Sequence, residues 1–200
     1  MIVAVAAMVV ASIGASPGRC DEPRLAGADL TGQLLVATPE MKDPRFAHTV
    51  IYMVRHTPDG AQGLVLNRPL GEIPLTVLLG QFGIPRGSVE EDIRLHSGGP
   101  VDSFRILVLH TADYSGEGTT AVKDGIAVTS DPSILSAITQ GKGPRRMFFA
   151  VGYSGWAPGQ LDAEMKTGAW ARAPASEVLI FDTDYATKWE RAMARRKIDL

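Results

Sequence analysis

Short apolar runs alternate with turn chemistry along most of this chain. Gln33 to Thr38 is an apolar run closed by Pro39, and Thr49 to Arg55 is β-branched and apolar, so both read as strands. Ala61 to Asn67 reads as a third, with Thr57-Pro58-Asp59-Gly60 as the turn before it. Leu75 to Phe82 changes to helical spacing and stops at Gly83 and Pro85. Ile93 to Ser97 and Arg105 to His110 predict strands on either side of Ser97-Gly98-Gly99-Pro100, and Ile126 to Thr129 predicts another. Asp131-Pro132 opens a helix to about Gln140, with an N-cap and a proline in its first turn. Arg146 to Gly152 is apolar enough for a central strand. Beyond it the pattern predicts a helix over Gln160–Thr167, a strand over Glu177–Phe181 and an amphipathic helix over Asp184–Arg196. Helices and strands mix without βαβ alternation, which points to an α+β fold.

Composition narrows the functional classes. The 200 residues carry a net charge of -2, with 45% hydrophobic and 21% charged side chains. That is ordinary for a globular domain and lacks the basic excess of a dedicated nucleic-acid binder. The densest basic runs, Arg145-Arg146 and Arg195-Arg196-Lys197, are short, and nucleic acid is not expected as a partner. The single Cys20 and four scattered histidines give no metal-ligand spacing, so neither metal nor cofactor is expected. Met1 to Ala15 is apolar and uncharged, with the length of a signal-peptide core but without its basic n-region. Residues 1–18 are therefore a candidate leader, 19–29 a polar linker and 30–200 the domain, with no membrane span in the mature chain.

Candidate chemistry is sparse. Gly152-Tyr153-Ser154-Gly155-Trp156 places a serine after an apolar strand, but a nucleophile elbow needs glycine two positions after the serine, and Trp156 stands there. A hydrolase or transferase reading would pair Ser154 with His56 or His110, since triad members meet in space rather than in sequence. Ser97-Gly98-Gly99-Pro100 lacks the lysine and hydroxyl of a phosphate loop. Arg68 has the chemistry to clamp a carboxylate or phosphate, or to pair with Glu72. Trp156, Trp170 and Trp189 offer either a platform for a ligand or packing. Direct DNA binding would have to use Arg145, Arg146 and the C-terminal basic run.

The ordered blocks carry a resemblance. Leu30 to Ala37 followed by Pro39, Met41, Asp43, Pro44 and Phe46 makes the first. His56, Asp59-Gly60-Ala61 and Gly63 to Pro69 follow, then Gly98 to Val101, Leu109-His110, Gly152 to Trp156, Gly159-Gln160-Leu161, Glu164 and Ala169-Trp170. From about Leu30 to Trp189 this resembles the AlgH/YqgE family of bacterial proteins. The resemblance implies a compact α+β domain with bifurcated, pseudo-barrel-like mixed sheets flanked by helices, and a normally cytoplasmic location; a cleaved leader would instead imply the periplasm. It implies no established activity, although some members carry the name of transcriptional regulators. The leading reading is a binding or regulatory protein without catalysis, for a protein or small-molecule partner. The residues singled out for its surface are His56, Asn67, Arg68, Gly98, Gly99, Pro100, His110, Tyr153, Trp156 and Gln160.

Overall fold

The computed structural model describes residues 29–86 and 91–197. The candidate leader, Cys20 and all of the linker except Asp29 lie outside the described residues. Among the described residues, ten strands form one curled sheet: β1 Gln33–Ala37, β2 Val50–Thr57, β3 Gly60–Val65, β4 Pro69–Pro74, β5 Asp92–Ser97, β6 Val101–Thr111, β7 Thr119–Lys123, β8 Ile126–Thr129, β9 Met147–Trp156 and β10 Trp170–Pro174. In the same described residues, five short helices accompany them: α1 Leu75–Gln81, α2 Ser133–Thr139, α3 Gln160–Lys166, α4 Glu177–Phe181 and α5 Lys188–Met193. The main path runs β10-β1-β2-β3-β9-β6-β8-β7 and curls into a half-barrel, so the α+β expectation is met.

The sheet forks at β9. Its first half, Met147 to Val151, pairs antiparallel with β6 and, over Phe149 to Val151, parallel with β5. Its last three residues, Ser154 to Trp156, pair instead with β3. This is the bifurcated, mixed sheet that the resemblance implied.

The fork needs three glycines. Gly98 donates its N–H to the Val151 carbonyl (2.9 Å), while its own carbonyl accepts from Val65 N (3.0 Å), so one residue stitches both branches. A Cβ on Gly98 would overlap the Gly152 carbonyl oxygen, and one on Gly99 would overlap the backbone of Tyr153 and Ser154. Gly152 itself, at φ 70°, has the Gly99 and Val101 carbonyl oxygens where a side chain would stand. Backbones this close exclude any Cβ.

Period-two alternation sorts the core. Leu34, Val36, Val50, Tyr52, Leu64, Leu107, Leu109, Phe148 and Ala150 point inside the half-barrel, which α4 and α5 close with Leu179, Ile180 and Ala192. The alternate residues of β1 to β3, including Leu35, Ile51, Met53 and Val65, face outward and are covered with Trp156, Leu161 of α3 and Trp170. On the other branch Val108 and Phe149 face α1 and α2. Both faces are thus buried, which is why these strands read as continuous apolar runs rather than as amphipathic ones.

Four differences from the sequence reading have local causes. β4, β7 and β10 are edge strands that carry proline, glycine or mostly polar residues and so give no strand signal. Glu177–Phe181 is a helical turn rather than a strand: Ser176 accepts from Leu179 N (3.3 Å) as an N-cap, which outweighs its β-branched content. β6 starts at Val101 rather than Arg105, because residues 102–105 bulge out of register. The last helix starts at Lys188, because Asp184 accepts from Thr187 N (3.3 Å) and closes a turn first.

Gly99→Ala is expected to cost on the order of 4 kcal/mol or to abolish folding, since it combines backbone overlap with a glycine-only φ. Gly141→Ala, at φ 67° with open space around it, should cost only about 1–2 kcal/mol. Denaturant midpoints of the two variants test this. Near-native stability of Gly99→Ala would mean that the fork can open around a side chain.

Candidate functional site

The residues singled out from the sequence fall into three separate groups. Gly98, Gly99, Pro100 and Tyr153 lie at the fork. Ser154 is fully buried there and its hydroxyl donates to the Gly98 carbonyl (3.3 Å). Asn67 closes β3 beside them, with Oδ1 accepting from Val50 N (3.0 Å) and Nδ2 donating to the His48 carbonyl (2.8 Å). Arg68 donates to the Ala47 carbonyl (2.9 Å); Glu72, the partner considered for it, pairs with Arg94 instead.

The second group surrounds α3. One oxygen of the Glu164 carboxylate accepts from the indole N–H groups of Trp156 (2.9 Å) and Trp170 (2.8 Å). The other accepts from Gln160 Nε2 (2.8 Å), and Gln160 Oε1 accepts from Ala157 N (3.0 Å). Trp156 and Trp170 are buried with their rings edge to face, so they pack rather than offer a platform. Trp189 likewise donates to the Ala37 carbonyl (2.8 Å). His56 accepts from Leu30 N at Nδ1 (3.4 Å) and holds Nε2 3.9 Å from the Asp162 carboxylate.

His110 stands alone in the third group, and its hydrogen bonds run in one direction. Gly116 N–H donates to Thr119 Oγ1, the two threonine hydroxyls of Thr119 and Thr129 share a bond of 2.7 Å, and Thr129 Oγ1 lies 2.8 Å from His110 Nε2. Nδ1 lies 2.8 Å from the Thr111 carbonyl, which can only accept, so Nδ1 carries the proton and Nε2 accepts. Burial depresses the affinity of this ring for a second proton.

Several concavities open among the described residues; one of about 450 Å³ lies beside Thr38, Glu40, Arg172 and Arg196, and two others bear on the residues above. The first of these two, about 420 Å³, is the open mouth of the half-barrel. Val54, Leu107 and Val128 form its apolar floor, and Arg55, Gln62, Arg105, Thr120 and Ser130 stand around it. Three register breaks meet at this end: at Val54 in β2, over residues 102–105 in β6, and at Val122 in β7. Bulges re-aim side chains and gather at barrel rims and binding sites. The one at Val54 lets the consecutive residues Val54 and Arg55 both line the mouth. The one in β6 leaves Phe104 almost wholly in solvent while Arg105 lines the mouth. The sequence reading missed both arginines, since an isolated arginine in a strand or at its start gives no signal until the bulges are known.

The second concavity, about 250 Å³, is lined by His96, Arg94, Phe148, Phe181 and Tyr185 among others. His96 is buried, stacked on Phe148, with Nδ1 3.2 Å from the Phe149 carbonyl. Desolvation pushes its pKa down to about 4. Lys188, also missed, is fully buried beyond it. Its ammonium caps the end of α4 by donating to the carbonyls of Leu179 (2.7 Å) and Asp182 (3.0 Å), and it pairs with the Asp182 carboxylate at 3.3 Å. Burial lowers its pKa, which that carboxylate partly offsets. Among the described residues no three His, Cys, Asp or Glu side chains gather as metal ligands, and no helix is long and apolar enough to cross a membrane.

Fold and site together define an α+β protein built on a forked half-barrel with a polar mouth. The AlgH-like family profile matches residues 34–200, and the chain belongs to that family. A UPF0301 protein of Rhodospirillum rubrum is 48% identical over 170 residues, which cover 85% of this chain and 88% of the relative. One from Methylococcus capsulatus is 44% identical over 173 residues, covering 86% of this chain and 94% of that one. The solution structure of the AlgH protein from Pseudomonas aeruginosa superposes with a TM-score of 0.71 at 36% identity, over 84% of this chain and 89% of that one. A Corynebacterium diphtheriae crystal structure shares the fold, with a TM-score of 0.65 at 21% identity over 84% and 87% of the two chains. The function of the family is uncharacterised.

His96 gives stability a pH dependence whose sign is fixed. Above its ordinary value of 6.5 the ring is neutral in folded and unfolded chains alike. As the pH falls from 6.5 toward 4, the unfolded chain takes up a proton that the folded ring refuses, so stability falls. The loss from this residue reaches roughly 3 kcal/mol near pH 4. Urea midpoints across this window should drop more steeply for the native chain than for His96→Gln. Equal slopes would mean that His96 titrates normally in the fold.

Proposed function

We propose that this protein acts by binding a ligand at the mouth of the half-barrel rather than by catalysis. One observation carries the reading: Ser154, the nucleophile candidate with the best sequence context, spends its hydroxyl on the Gly98 carbonyl and has no exposure to solvent. A nucleophile needs a base within hydrogen-bond reach. The ring of His110 is occupied at both nitrogens inside the sheet, and that of His56 bonds Leu30 N and faces Asp162. By contrast, the side chains of Arg55, Gln62, Arg105, Thr120 and Ser130 around the mouth make no hydrogen bond or ion pair with the described residues. Free donors around a concave apolar floor, at the mouth of a barrel, are what a small-molecule site requires.

A regulatory role is compatible with this reading if it passes through the ligand rather than through DNA. Arg145 and Arg146 both pair with Glu177, at 3.2 and 3.3 Å. Arg195 donates to Ser176 Oγ and Arg196 to the Met193 carbonyl. These arginines stay exposed, but they are engaged in local pairs and hydrogen bonds, and the two basic runs are too short for the cationic stripe of a dedicated DNA binder.

A serine-reactive phosphonate should leave the protein unlabelled by intact mass, and Ser154→Ala should cost about 1 kcal/mol of stability, the worth of one buried hydrogen bond. Stoichiometric labelling at Ser154 would overturn the binding reading in favour of acyl transfer. Mobility-shift assays at low salt should show no retardation of duplex DNA; a shift that vanishes as salt rises would instead indicate phosphate contacts.

A further inference from the structure

The charges around the mouth narrow what it binds. Arg55 follows the β2 bulge and is in register with Gln62 across β3, while Arg105 ends the β6 bulge, so two guanidiniums come to one concavity from different branches of the fork. No aspartate or glutamate lines it. Two of the acids close to its lining in sequence are held by their own turns: Asp29 accepts from Thr31 N (2.9 Å) and Asp131 from Ser133 N (2.8 Å), whereas Glu117, next to Gly118, lies outside the lining. Hydrogen bonding keeps both aspartate carboxyls below their ordinary pKa, so they stay committed to those donors. Thr120 and Ser130 add two hydroxyls and Gln62 a side-chain amide, while Val54, Leu107 and Val128 supply an apolar floor.

Resting on the binding reading above, we propose that the mouth takes a small organic anion. Its head group is a carboxylate or phosphate held between Arg55 and Arg105, with further hydrogen bonds from Gln62, Thr120 and Ser130. Its short apolar body lies on Val54, Leu107 and Val128. Guanidinium forks match the planar or tetrahedral oxygens of such groups in geometry as well as charge. The floor is what separates this site from a simple patch of surface charge: a bare inorganic anion would leave it uncovered, so affinity should rise with an apolar body of matching size.

The test is titration of the full chain, followed through backbone and side-chain amide NMR, with phenyl phosphate, benzoate, inorganic phosphate and benzyl alcohol. One or both aromatic anions should shift the signals of Gln62, Gly118 and Ala121 and bind more tightly than inorganic phosphate. Which of the two binds better tells phosphate from carboxylate. Arg55→Gln and Arg105→Gln should each weaken binding on the order of tenfold, with melting temperature unchanged because both side chains are exposed. Benzyl alcohol binding as well as the anions, or the arginine variants binding normally, would overturn the anionic class while leaving a ligand at the mouth. Equal binding of inorganic phosphate would reduce the site to non-specific charge and overturn it too. No shift at the mouth from any probe at millimolar concentration would also overturn the proposal, whereas labelling of Ser154 would strike at the binding reading beneath it.

Discussion

Gly98, Gly99 and Gly152 lie backbone to backbone where β9 exchanges its neighbours, and most of the architecture follows from that crossing. β9 can serve two branches only if the chain leaving β5 passes directly over it. That passage places carbonyl oxygens where a Cβ on Gly152 would stand. On the other side β6 must detour, so its residues 102–105 oppose the single Gly152 between the Val101–Tyr153 and Ile106–Val151 pairs. Arg105 reaches the mouth at the end of that detour. A steric rule about three missing side chains therefore sets both the branching of the sheet and one of the two charges at its open end.

The polar residues nearest the fork obey the demand that buried donors and acceptors find partners. When strands end at a branch, some backbone groups lose their ladder neighbours. Asn67 answers Val50 N and the His48 carbonyl and Ser154 answers the Gly98 carbonyl; away from the fork, His110 joins Thr129 to the Thr111 carbonyl. Serine, histidine and asparagine are also the residues of hydrolytic sites, which is why a linear reading of this chain raises the possibility of catalysis. In this structure each of them is engaged in hydrogen bonds with the surrounding fold, with Ser154 fully buried.

Legibility in the sequence followed burial. The apolar runs of β1, β2, β3, β8 and β9 are visible because both of their faces are covered. β4, β7 and β10 are edges whose pairing is decided by partners far along the chain; β10 finds β1 from some 130 residues away. The short α4 carries a strand-like composition, and only the placement of Ser176 and the Lys188 ammonium at its two ends makes the helical turn favourable. Among candidate site residues, the motif glycines and aromatics were legible; the structure places the glycines at the fork and Trp156 in the indole–Glu164 cluster. Arg55 and Arg105 were invisible because the bulges that aim them depend on register, and register is a property of the assembled sheet.

These two kinds of residue separate the frame of the fold from the lining of the mouth. The blocks that carry the family resemblance, Gly98 to Val101 and Gly152 to Trp156 among them, build the branch point and cannot change without disturbing backbone contacts. Arg55, Arg105, Thr120 and Ser130 lie outside those blocks, and their side chains bond nothing in the described fold. Substituting them alters the charge and shape of the mouth at little cost in stability, since exposed side chains without partners contribute little to folding. A forked half-barrel of this kind is thus a rigid frame with an adjustable opening. Membership of the family goes with the frame, and the character of the opening is set by the handful of side chains that the bulges turn toward it.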